Sequence, residues 1–184
     1  MPLRKTWLSS GVLCLCLVPA LVGWPARALA QAGDKAAAEV LFNEGRQQMQ
    51  EGKLDSACDK LAESQRLDPG AGTLLNLAEC RERQGRTATA WATWLEAAAA
   101  AHTAGQSERE AHARKRAEGL KPRLVTLTLE VPEASRISGL EVSRDGVALG
   151  AAMWGVAVPV DPGAHTLTAK ASGREPWTQT VSVV

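Results

Sequence analysis

The sequence has almost no excess charge: 21 lysines and arginines face 20 aspartates and glutamates, a net of +1 over 184 residues. It lacks the strong basic patch with which proteins hold nucleic acid, so no nucleic-acid partner is expected. Beyond its N-terminal stretch it has no second apolar run approaching membrane-spanning length. Its three histidines and four cysteines are scattered, with no C-x-x-C pair, no metal-spaced cysteine set and no H-E-x-x-H. The G-x-S-x-G elbow, the Walker loop and the dinucleotide fingerprint are missing as well. Glu108 and His112 stand one helical turn apart and read as a surface ion pair. Asp145 and Asp161 sit beside Gly or Pro and read as turn residues. No catalytic residue, no cofactor and no metal site is therefore expected. An enzyme of unrecognised type, assembled from single residues of two domains, is the minor alternative.

What is present begins with a basic start at Arg4 and Lys5. An apolar stretch follows from Leu8 to about Trp24, broken by Pro19, and Ala28 and Ala30 offer the small residues a signal peptidase reads. Residues 1–30 read as a secretory signal peptide cleaved after Ala30. The alternative is an uncleaved membrane anchor, which the short run and Pro19 disfavour. Cys14 and Cys16 lie inside the apolar run without a lipobox. Cleavage removes Arg4, Lys5 and Arg27, leaving 18 basic and 20 acidic side chains, a net of −2. The expectation is a soluble periplasmic or secreted protein with no membrane span after cleavage.

The remaining residues change composition once. Residues 34–121 are rich in Ala, Glu, Arg and Gln, which favour helix, and 122–184 in Val, Thr, Leu and Gly, which favour strands and turns. Pro122 marks the joint, because proline ends a helix before it. The fold class expected is α + β in two domains, with few contacts crossing Pro122. Helices are predicted over 35–51, 55–67, 71–84, 87–103 and 107–121. Asp55, Thr87 and Ser107 are read as N-caps, Ser107 with Glu110 as a capping box, and Gly52 and Gly85 as left-handed turns. Ala113, Ala117, Leu120 and Leu124 form one apolar face of the last helix, as a cap on a helical stack requires.

The helical half repeats itself at an offset of 33. Gly52 maps to Gly85, Ala57 to Ala90, Leu61 to Trp94, Ser64 to Ala97, Leu41 to Leu74 and Gly45 to Ala78. Small residues at 45 and 57 allow two helices close approach, large residues at 41, 61 and 67 surround them, and Pro69 stops the second helix. This pattern resembles the tetratricopeptide repeat, over two repeats from Ala38 to His102 plus a capping helix. The resemblance implies helical hairpins that present a partner-binding groove. A groove lined by Asn43, Arg46, Asn76, Arg83 and Trp91 is the candidate site. The carboxylate clamp of some members is incomplete here: Asn76 fits, but Phe42 and Arg46 stand where lysine and asparagine are needed. Trp94 occupies a core position of the repeat, whereas Trp91 is either core or a groove anchor.

Two cysteines follow the leader, Cys58 on the second helix and Cys80 on the third. Neighbouring helices and an oxidising compartment admit a Cys58–Cys80 disulfide, with two buried free thiols as the alternative.

The C-terminal half alternates. Val125, Leu127, Leu129 and Val131 face one side of a strand, Asp145-Gly146 turns a hairpin, and Val156, Val158 and Val160 point inward on a strand whose Pro159 marks an edge. Turns at Asp161-Pro162-Gly163 and Ser172-Gly173 separate two further strands. Five to seven short strands suggest a small β-sandwich. The stretch VPVDPGAHTLTAKASGREPWTQTVSV resembles the PEGA family of extracytoplasmic β-domains, which implies a surface or envelope module without catalytic residues. The expected function is a non-enzymatic extracytoplasmic interaction or scaffold module whose groove binds an envelope protein. The alternative is a structural envelope protein that binds peptidoglycan or another cell-wall polymer through the β-domain.

Overall fold

The computed structural model describes the backbone from Pro25 to Val184 and side chains from Asp34 onward. The basic start and apolar stretch read as a leader lie outside the described residues, as do the side chains around Ala30. Five helices come first: α1 (Pro25–Gln50), α2 (Leu54–Leu67), α3 (Ala71–Arg83), α4 (Thr87–Thr103) and α5 (Ser107–Leu120). Six strands follow: β1 (Val125–Thr128), β2 (Glu141–Arg144), β3 (Val147–Ala148), β4 (Ala157–Val160), β5 (Gly163–Lys170) and β6 (Trp177–Val183). Four of the five helices begin and end within a residue of their predicted bounds. The exception, α1, is already helical at Pro25, ten residues before its predicted start.

Three of the four helix connections share one geometry. Gly52, Gly85 and Gly105 each take a positive φ, of 76°, 77° and 67°. In each turn the glycine N–H and the next N–H bond back into the preceding helix, as in Gly85 to Glu82 and Arg86 to Arg81, both 3.0 Å. This turn corrects the predicted caps. The residue after each glycine (Lys53, Arg86 or Gln106) is the N-cap, and its carbonyl accepts the first helical bond from Ala57, Ala90 or Glu110. Asp55, Thr87 and Ser107 lie inside the first turn, and no side-chain cap forms from within these segments. Glu110 bonds His102 and Arg114 rather than closing a capping box.

Positions related by the offset of 33 are buried alike. Ala57 and Ala90 are fully buried, Leu61 and Trp94 at most 1% exposed, and Ser64 and Ala97 at most 2%. Large residues at one helix contact thus face small ones at the other, which packs the hairpins closely. Gly45 marks the tightest point: an added Cβ would lie 2.9 Å from Leu61 Cγ and 3.2 Å from the Ala57 carbonyl. Two apolar clusters result. Met49, Ala57, Leu61 and Leu77 surround the first, where Cys58 and Cys80 are joined with sulfurs 2.07 Å apart. Trp94 centres the second with Leu74, Ala90, Ala113, Ala117 and Leu120, so α5 covers the far end with three of the four residues expected. Leu124, the fourth, lies beyond the helix and is half-buried.

All strand pairs are antiparallel, in a two-stranded sheet β1-β4 and a four-stranded sheet β3-β2-β5-β6. Asp145 (φ 52°) and Gly146 (φ 79°) turn the β2–β3 hairpin, two consecutive left-handed residues suiting a two-residue loop. Val142, Val160 and Leu167 are buried. Val156, expected inward, is 49% exposed because it precedes β4 in a turn rather than belonging to the strand. The run predicted as one strand to Val131 breaks after Thr128. Its alternation survives: Leu129 accepts a bond from Gly155, and Val131 is buried.

Candidate functional site: the cleft between the helical and β halves

The N-terminus of α4 has no capping side chain of its own, and four backbone N–H groups start a helix without intrahelical partners. Asp161, in the turn between β4 and β5, supplies the missing acceptor. Its Oδ1 accepts the Thr89 N–H at 2.8 Å, and its Oδ2 accepts the Thr89 hydroxyl and Arg86 Nε, the latter at 3.3 Å. A carboxylate at this end also meets the positive pole of the helix. The β half therefore caps a helix of the other half, 72 residues away in sequence.

Asp161 is itself held by His165, a buried residue of β5. His165 Nε2 lies 2.7 Å from the Asp161 carbonyl, and Nδ1 lies 2.7 Å from Asp145 Oδ2. A neutral imidazole has one N–H, so only the imidazolium donates to both oxygens. The hydrogen bond to Asp145, then that to the Asp161 carbonyl, raises the His165 pKa above its ordinary 6.5. For Asp145, partial burial opposes ionisation, but bonds from His165 and Thr166 N–H outweigh it and hold its pKa below 3.8. With both ring nitrogens engaged, His165 has no lone pair to take a proton from a substrate. The His–Asp pair acts here as a fastening.

From α3, Arg81 Nη1 donates to the Thr93 hydroxyl at 2.6 Å, and that hydroxyl donates to the Thr89 carbonyl at 2.7 Å. One polar chain thus runs from α3 through α4 to β5. Beside it lies a cleft of about 530 Å³, walled by Arg81, Arg86 and Trp91 from the helices and Arg144, Pro159 and His165 from the β half. Burial and the like charge of Arg86 disfavour the Arg81 cation, while Glu96 and Asp161 favour it. The cleft is balanced in charge: Arg81, Arg86 and Arg144 face Asp145, Asp161 and Glu96, with Arg86 paired to Asp161 and Arg144 to Asp145. Two buried donors in its wall, Arg81 Nε and Trp91 Nε1, have no acceptor among the described residues. Those two donors and the indole suit a partner segment that brings hydrogen-bond acceptors.

The five predicted groove residues each have local surroundings of their own. Asn43 is exposed and bonds Glu39 on its own helix, and Arg46 lies over the Phe42 ring at 5.7 Å. Asn76, half-buried, donates to the Gly72 carbonyl one turn away, and Arg83 is exposed at the end of α3. Trp91 alone lines the cleft. Asp161, Arg86, Arg144 and His165 were missed because each has an innocent local reading as a turn or surface residue. No local signal pointed to the contact, since Thr87 itself reads as the cap of its helix and Asp161 as a turn residue. Among the described residues no group of three or more metal-ligating side chains gathers, and no helix is long and apolar enough to cross a membrane. Compared with known proteins, the chain matches no family model and no curated relative, so its site is read from its own geometry.

Proposed function

We propose that this chain is a non-enzymatic extracytoplasmic interaction module: a tetratricopeptide-like pair of hairpins with a capping helix, fastened to a small sandwich-like β-domain, that holds a partner protein. The observation carrying this reading is the duplication at offset 33, whose paired positions share their burial and whose hairpins share one glycine turn. Stacked units of this kind offer surface for recognition rather than reacting groups. The cleft adds a contact surface for that partner, with Trp91 as an aromatic anchor and the unmet Arg81 and Trp91 N–H groups as donors. Photo-crosslinking from positions 76, 91 and 144 in the native envelope fraction tests it. The expected result is one partner captured from all three, lost on Trp91→Ala with Arg144→Gln. Crosslinks scattered over unrelated proteins would refute it.

The second reading, a wall-binding protein, is favoured by Trp177. It is 47% exposed beside a cavity of about 360 Å³ lined by Ile137, Leu140 and Arg174. A ring so placed can stack on a sugar face. Co-sedimentation with purified sacculi, abolished by Trp177→Ala, would establish it in place of the first.

A further inference from the structure

The last strand of the four-stranded sheet, β6, is paired along all seven residues with β5 on one side, and among the described residues no strand pairs with its other side. The backbone directions follow from β5. Asp145 N–H donates to the Thr166 carbonyl, and Thr166 N–H donates to Asp145 Oδ1, so both Thr166 groups face β2. Directions alternate along a strand, so His165, Leu167 and Ala169 face β6 and meet Val181, Gln179 and Trp177. Thr178, Thr180 and Ser182 therefore turn three N–H and three carbonyl groups outward.

Open edges are normally blunted by charge, proline or shortness. Of the other edges here, β3 has two residues, β1 has four, and β4 carries Pro159 and lies against α4. By contrast β6, WTQTVSV, has no charged residue, no proline and no glycine. Its sequence is also complementary to itself. Placed antiparallel about a two-fold axis through Thr180, Thr180 meets Thr180, Thr178 meets Ser182, Gln179 meets Val181 and Trp177 meets Val183 of a second copy. One face then carries hydroxyl pairs and the other an aromatic–β-branched pair, both favourable across strands. Every outward N–H finds a carbonyl in this register, and no like charges are opposed.

We infer that β6 is the interface of a two-fold homodimer, formed by edge-to-edge pairing of two four-stranded sheets into one continuous sheet. This goes beyond the proposed partner binding, whose cleft is lined by no residue of β6. The test is sedimentation equilibrium of the exported, processed chain. Thr180 is exposed and its backbone groups face away from β5, so Thr180→Lys and Thr180→Glu should each fold as wild type by circular dichroism. Each places like charges across the axis and should weaken self-association by about tenfold or more. An equimolar mixture of the two variants should recover a dimer. A wild-type chain that stays monomeric, a Thr180→Lys dimer as tight as wild type, or a mixture that fails to recover would each overturn the interface.

Discussion

Gly45 sets two residue-scale effects against each other. Alanine in a helix interior stabilises by about 0.5–1 kcal/mol over glycine, yet here its Cβ would press on Leu61 Cγ and on a backbone carbonyl. Neither is the free end of a flexible chain, and overpacking costs about 1–3 kcal/mol. Gly45→Ala should therefore lower the melting temperature, and a rise would show that α1 and α2 can separate cheaply. Asp161 gives the second comparison. Asp161→Ala removes the only side-chain acceptor at the α4 start and should cost about 0.5–2 kcal/mol. Asp161→Asn keeps an oxygen for the Thr89 N–H and loses the ion pair with the half-exposed Arg86 and the acceptor of the Thr89 hydroxyl, so it should cost less than Asp161→Ala. Thermal unfolding of both variants checks the order.

Among elements, α5 has the plainest dependence on its neighbour. It buries Ala113, Ala117 and Leu120 against the Trp94 cluster and exposes charge elsewhere. A chain ending at 121 should melt cooperatively as a helical unit, and one ending at 105 should not, because Trp94 would lose its cover. The Cys58–Cys80 bridge links α2 of one hairpin to α3 of the next across 22 residues. By loop entropy its reduction should cost about 3 kcal/mol, seen as a lower denaturant midpoint in reductant. These elements were legible in the chain because their signals are local. A glycine at each turn, small residues at 57 and 90 and a proline at 69 mark the helix ends within a residue. The caps were misread because the glycine turn makes the following residue the cap, whatever its side chain. The cleft was not legible, since its fastening joins Thr89 to Asp161 and no local pattern in either segment refers to the other.

For the whole molecule, the His165 fastening sets a pH window for the stability of the β half, whose Asp161 caps α4. The raised His165 pKa contributes stability that is complete below 6.5 and fades as pH climbs through the folded value. The lowered Asp145 pKa contributes stability that is complete above 3.8 and fades as pH falls through its folded value. The β half should be most stable between these limits and loosen in alkali. Thermal unfolding followed against pH should report it, and His165→Gln should flatten the alkaline arm.

The capping of α4 by Asp161 also builds a reporter into the chain. The Thr89 amide is protected only while the β half sits against the helix, since its acceptor belongs to that half. Deuterium uptake at this single position therefore measures how often the two halves part, and the first turn of α4 should fray at that same frequency. Separation of the halves and unwinding of a helix end are thus one kinetic event. A ligand that bridges the cleft would announce itself by slowing exchange at Thr89 before any change of shape could be seen.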